Sequence, residues 1–379
     1  LDAPVQVDRR SASLRQQEQH FDPADGDVQA QLQAHANART VRLDLRRAPM
    51  LQAHAAVDPV SRCWLLQLLH HHLTLDHTTT ELILHEVVAL LQGRGESLAA
   101  PVPFRDFVAR SRRGVSKAEH EAFFGAMLGD VDEPTAPFGL LDVQGDGSQV
   151  EQAKSMLPSG LSTQLRALAM RHGVSTASLF HLAWARVLAA YSGRDDVVFG
   201  TVLLGRMQGG AGIDRAMGMF INTLPVRIAL GGRGAVQGLR ETHAALSELL
   251  RHEHASLTLA QRCSGLAPNT PVFSALLNYR HSRGESFSGE GEIEIVEGIH
   301  YIGGRDLTNY PFSLYVDDLG EDFVLTAEIH VSVSAQRVCG FVEQALRALA
   351  VALAEEPGRS LLARQGLPAA EHRRVIHGF

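Results

Sequence analysis

"LLQLLHHHLTLDHTTTELILHEVVALL", from Leu65 to Leu91, decides the reading of the whole chain. An apolar run ends in three histidines, Asp76 and His77 follow within a few residues, and an apolar pattern with helical spacing begins after them. "RCWLLQLLH" (Arg62 to His70) is apolar nearly throughout, so it is predicted to be a central strand covered on both faces. "TELILHEVVALLQG" (Thr80 to Gly93) then reads as a buried helix closed by Gly93. The histidine turn therefore joins two buried elements.

Successive strand residues point to opposite faces, so only one of His71 and His72 can face a given cleft. An imidazole titrates near neutrality and can take a proton from an amine or hydroxyl. Asp76 can accept hydrogen bonds inside the turn or pair with a cation. Spacing alone leaves three readings open: structural histidines in a chain that has 19 of them, a catalytic imidazole, or a metal site. The last lacks support, since no HExxH helix or paired cysteines supply further ligands.

Around this stretch, helix signals recur. Val28 to Asn37 is amphipathic, and Ser116 with Glu119 forms a capping-box pattern. "LSTQLRALAMRHG" ends at Gly173, and the next helix runs from a Ser175 cap to Gly193. Thr40 to Leu45 alternates as a half-buried strand does, and "DDVVFGTVLLGR", "MFINTLPVRIAL", "PVFSALLNYRH", "NYPFSLYVDD" and "FVLTAEIHVS" read as further strands. "QRVCGFVEQALRALAVALAEEPG" is a long helix stopped by Pro357 and Gly358. "EPTAPFGLLDVQGDGSQ" (Glu133 to Gln149) is a linker or crossover. The fold class is α/β (α+β) in two lobes, with the division placed at 1–148 and 149–379.

With 379 residues, 45% of them hydrophobic and 20% charged, the chain has room for two cores. A net charge of -7 argues against a nucleic-acid binder. Cys63, Cys263 and Cys339 are isolated, which indicates buried thiols in a reducing, cytoplasmic setting. No run is long and apolar enough to cross a membrane. GxSxG elbows and phosphate-binding glycine loops are absent. The opening "LDAPVQVDRR" reads as the tail of a strand already in progress, so a fragment of a larger polypeptide is expected.

"HHLTLDH" (His71 to His77) resembles the HHxxxDG signature of condensation domains in nonribosomal peptide synthetases. Further stretches follow in the family's order. "VPFRDFVAR" (Val102 to Arg110) is similar to its aromatic-x-Asp-aromatic segment, and "DVVFGTVLLGR" (Asp196 to Arg206) to its strand ending in Gly-Arg. "MGMFINTLPVR" (Met217 to Arg227) closely resembles its G-x-F-[VI]-N-T-x-x-x-R block. "LPAAEHRRVIHGF" is similar to the stretch that leads toward an adenylation domain.

The resemblance implies two lobes like chloramphenicol acetyltransferase in a V-shaped pseudo-dimer with a central tunnel. It implies an acyltransferase that joins donor and acceptor thioesters into a peptide bond. The domain itself binds no cofactor or metal; phosphopantetheine arms arrive on upstream and downstream carrier proteins, and an adenylation domain follows. By motif, His72 positions or deprotonates the attacking amine, His71 structures the loop, and Asp76 pairs with Arg206 to prop it. Asn222 and Thr223 lie in a crossover segment, and His77 replaces the family's glycine, adding an imidazole to the tunnel. Glycine permits positive φ, so altered loop geometry is expected there. "HEHASLTLAQ" (His252 to Gln261) matches the family's His-Gln-Asp triplet poorly. The family's Ser-x-Ala-Gln-x-Arg-Leu-Trp and Arg-His-Glu-x-Leu-Arg stretches do not precede "PVQV", so an exposed strand edge is expected. Two other readings are an epimerisation domain and a non-catalytic docking module.

Overall fold

The computed structural model describes residues 11–37, 40–143, 145, 147–206, 212–281, 293–304 and 308–362. They fall into two compact units: Leu1–Phe104 with Asp214–Phe220, and Arg105–Ile213 with Ile221–Phe379. The opening strand expected at Leu1 and the closing stretch from Leu367 lie outside the described residues.

The first unit is built on β1 (Arg15–Gln19), α1 (Val28–His35), β2 (Leu51–Val57), β3 (Trp64–His70) and α2 (His77–Leu91). Its sheet has the order β1-β2-β3, parallel then antiparallel. Asp27 caps α1 by accepting from Ala30 N at 2.9 Å, and Val28 and Leu32 pack on Ala56, Phe21 and Leu65. One face of the sheet is therefore covered.

Three expectations are corrected here. β3 is not a central strand: among the described residues it pairs with β2 alone. Its second face leaves Trp64 and Leu66 63% and 66% exposed. α2 forms and is followed by Gly93 at φ +69°, but only Thr79 and Ala89 are buried, while Val87, Leu90 and Leu91 are exposed. An apolar run reports what could be buried; which neighbours arrive is a tertiary matter. Thr40 to Leu45 is not a strand, because Asp44 turns the chain by accepting from Arg46 N and Arg47 N, each at 3.0 Å. The extended segment comes later, as β2.

The second unit begins in α3 (Phe104–Ser111) and continues through α4 (Lys117–Leu128), β4 (Val150–Met156), α5 (Ser159–His172), α6 (Thr176–Ser192), β5 (Asp196–Leu203) and β6 (Asn222–Ala229). Then come α7 (Ala235–Arg251), α8 (Leu257–Arg262), β7 (Ala275–His281), β8 (Ile293–Val296), β9 (Ile299–Tyr301), β10 (Phe312–Asp318), β11 (Phe323–His330) and α9 (Ala335–Glu355). Among the described residues six strands form one mixed sheet in the order β4-β11-β10-β7-β5-β6, and β8 and β9 make a separate ribbon. α6 and α9 pack on each other, and Trp184, Phe180, Phe199, Phe312 and Phe323 are fully buried between helices and sheet.

Local chemistry sets these helix ends. Ser116 and Glu119 close the capping box in both directions, and Ser175 caps α6. Gly173 and Gly193 end α5 and α6 in the left-handed region, at φ +65° and +70°. The polar strands β1 and β4 and the short strands β8 and β9, of four and three residues, carried no sequence signal strong enough to be read.

The boundary expected at 148/149 falls inside the second unit. Buried Thr135 is the reason: its N–H donates to Val272 O at 3.1 Å, its carbonyl accepts from Ser274 N, and its hydroxyl accepts from Val198 N at 2.9 Å. That stitches the supposed linker to β5 and to the approach to β7. Conversely, Asp214–Phe220 belongs with the first unit, more than a hundred residues from the rest of it.

Candidate functional site

The turn after β3 is held by backbone bonds first. His71 N donates to Met50 O at 3.1 Å, extending the β2–β3 ladder by a step. The His71 carbonyl then accepts from Thr74 N at 3.0 Å and from its hydroxyl at 2.8 Å. His71 Nδ1 accepts the Leu73 N–H at 3.1 Å. An accepting nitrogen carries no proton, so neutral His71 holds its proton on Nε2.

His72 has the opposite arrangement. Its Nδ1 lies 2.9 Å from Leu75 O. A carbonyl only accepts, so Nδ1–H donates, and the lone pair of the neutral ring sits on Nε2. The side chain is exposed, so that lone pair is accessible. The neighbouring imidazoles thus hold different tautomers: the His71 lone pair on Nδ1 is taken by the Leu73 N–H, while the His72 lone pair lies on Nε2 of an exposed residue.

Asp76 caps α2 from a buried position. One carboxylate oxygen accepts from Thr79 N at 2.8 Å, and the other from Phe220 N at 3.0 Å. Thr79 is also buried; its hydroxyl donates to Gly218 O at 2.8 Å and accepts from Gly218 N at 3.1 Å. The Phe104 ring lies against Gly218, whose φ is +156°, and meets Phe220 edge to face at 5.1 Å. The histidine turn is thereby tied to residues 214–220. Sequence reading missed Thr79, Gly218 and Phe220, although the last two stand inside "MGMFINTLPVR". No periodicity links positions 139 or more residues apart.

His77 is the first residue of α2, with no positive φ, and its Nε2 reaches Glu81 Oε1 at 3.2 Å. The altered loop geometry expected from the loss of glycine is not needed: a helical backbone admits any L residue at that position.

The remaining candidates lie in the second unit. Arg206 follows Gly205 (φ +63°) beyond β5 and donates to Ile213 O at 3.0 Å. Asn222 opens β6, and its amide donates to Glu253 O at 2.8 Å and Ala255 O at 2.7 Å, while Thr223 stands opposite Val202. Those bonds anchor the 252–255 turn, where the family's triplet is poorly matched. There His252 hydrogen-bonds His120 (Nδ1 to Nδ1, 2.9 Å) and stacks on Phe123 at 4.0 Å. Burial lowers the pKa of both histidines, which favours their neutral forms, and in the contact one ring donates its Nδ1–H to the Nδ1 lone pair of the other. Among the described residues no group of three or more His, Cys, Asp or Glu side chains is placed to hold a metal ion.

A family model described as the condensation domain matches residues 2–357. Malpibaldin synthetase of Mortierella alpina is 45% identical over 379 residues, covering 100% of this chain and 7% of that protein. Bacitracin synthase 1 of Bacillus licheniformis is 27% identical over 326 residues, 82% of this chain and 6% of that one. The chain thus spans less than a tenth of these relatives. Among solved structures, the first condensation domain of the calcium-dependent antibiotic synthetase, in complex with a substrate analogue, superposes with a TM-score of 0.65. It is 19% identical, with 95% of this chain and 82% of that one covered. No described helix is long and apolar enough to cross a membrane.

Proposed function

We propose a function from one premise, that this chain belongs to the condensation-domain family: it joins a donor aminoacyl or peptidyl thioester to an acceptor aminoacyl thioester, both presented on the phosphopantetheine arms of carrier proteins. The acceptor amine attacks the donor carbonyl carbon. A C–N bond forms, the C–S bond breaks, and the departing thiolate takes a proton, so thioester and amine become amide and thiol.

The observation that carries this reading is the His72 tautomer: with Nδ1–H committed to Leu75 O, Nε2 of this exposed residue holds the lone pair that can accept the ammonium or amine proton. Holding two tethered reactants in near-attack geometry is worth roughly 7–11 kcal/mol. A general base adds about 10²–10⁴-fold. Positioning therefore outweighs proton transfer, and loss of His72 slows the reaction without removing all of it. We assign the reaction to the cytoplasm on the three isolated free thiols, although of these Cys339 alone is buried as expected, Cys263 being half-buried and Cys63 exposed.

The test is peptide formation between two loaded carrier proteins on the full natural polypeptide. Wild type should form the dipeptide, and His72→Ala should reduce the rate by at least 10²-fold. A folded wild type that makes no peptide but binds carriers would favour the docking role, which His77 in place of the family's glycine keeps in view. Interconversion of D and L residues without an acceptor would favour epimerisation.

A further inference from the structure

Thr79 is the third residue of α2. A threonine there ordinarily turns its hydroxyl to solvent or to the carbonyl four residues back, as Thr80 does toward Asp76 O at 3.2 Å. Thr79 instead both donates to and accepts from one distant residue, Gly218, through its hydroxyl, at 2.8 and 3.1 Å, with no exposure to water. Two residues along, Phe220 N donates to the Asp76 carboxylate at 3.0 Å. Side chains at the start of α2 thus take the place of a partner strand for residues 218 and 220. Behind them, Phe104 fills the space that a side chain at position 218 would occupy.

We infer that Thr79 is a positioning residue for His72. Its hydroxyl fixes the first turn of α2 on residues 214–220, and Asp76, capping that same turn, is fixed with it. Leu75 directly precedes Asp76, and its carbonyl is the acceptor that holds His72 Nδ1–H. Movement of the α2 start displaces Leu75 O, frees the His72 ring to rotate, and removes its preference for a proton on Nδ1. This rests on His72 being the reacting base; the experiment separates the two claims.

Rates of peptide formation are compared for Thr79→Val, Thr79→Ser, His72→Ala and the Val/Ala double variant, in the full natural polypeptide with both carriers loaded. The imidazole ¹⁵N spectrum of His72 is read in parallel. Thr79→Val should lower kcat at least tenfold with KM for the carriers changed less than twofold, and should lose the Nδ1–H signature. Thr79→Ser, which keeps the hydroxyl, should stay within threefold of wild type and retain it. In the His72→Ala background, Thr79→Val should cost less than twofold, because its effect runs through the ring already removed. A wild-type rate in a folded Thr79→Val protein, or an equal loss with and without His72, overturns the inference. If Thr79→Val does not fold, Thr79→Ala is compared with Thr79→Ser on the ¹⁵N signature, and an unaltered tautomer in the alanine variant overturns it. If His72→Ala is as active as wild type, the proposed function has failed, and the ¹⁵N spectra still decide what Thr79 does.

Discussion

Replacing Asp76 with alanine removes two acceptors from a site that water does not reach. The carboxylate is 2% exposed and takes the N–H groups of Thr79 and Phe220 at 2.8 and 3.0 Å. A hydrogen bond to a charged group contributes about 1.5–3 kcal/mol, and an orphaned buried donor costs about 1–3 kcal/mol. Allowing for partial relaxation of the turn, the loss is about 3–5 kcal/mol. Asparagine offers a discriminating second variant. Its amide has one oxygen, so only one of the two N–H groups keeps an acceptor while the other faces an NH₂. That costs about 1–3 kcal/mol. Urea unfolding followed by circular dichroism gives both stabilities, and amide hydrogen exchange at Thr79 and Phe220 locates them. Both amides should exchange faster in Asp76→Ala, and only one in Asp76→Asn. An alanine variant within about 0.5 kcal/mol of wild type, with both amides still protected, would refute the reasoning.

Other outcomes follow from the second unit. His181 is fully buried, donating from Nδ1 to Ala177 O at 2.7 Å and accepting the Thr201 hydroxyl on Nε2 at 2.8 Å, and burial pushes its pKa down to about 4. The unfolded chain binds this proton more readily, so stability is fully present above about pH 6.5 and falls as pH drops toward 4, by on the order of 3 kcal/mol. Urea unfolding at pH 4.5 and 7.5 should show that loss, and His181→Asn should flatten it. Asn222→Ala removes two bonds to carbonyls and should cost about 2 kcal/mol. Asn222→Asp sets a carboxylate against those same carbonyls and should unfold at least as readily, measured in the same titration. A Cβ added at Gly200 would lie 2.5 Å from the Phe273 ring, so Gly200→Ala should destabilise by about 1–3 kcal/mol, and adding Phe273→Leu should recover part of it.

What the sequence determined by itself is whatever a few adjacent residues can settle. Ser116 with Glu119, Ser175, and the glycines at 173 and 193 fix helix ends through bonds and backbone angles that reach three or four residues. The apolar strands β5, β10 and β11 were legible because each is buried nearly throughout in the large sheet, and β7 because its first half is. "HHLTLDH" pointed to the turn and to its family. Tertiary structure decided the rest, because hydropathy records a residue's preference and carries no information about which surface meets it. β3 has the composition of an interior strand and stands at an edge of its described sheet. Asp76 reads as a helix cap, yet its second oxygen belongs to Phe220, 144 residues away. Thr79 looks interchangeable with the threonines on either side of it until Gly218 arrives on its hydroxyl. A hydrogen bond between distant positions leaves no periodic trace in either segment, so only the folded chain could show that residues 214–220 hold the histidine turn.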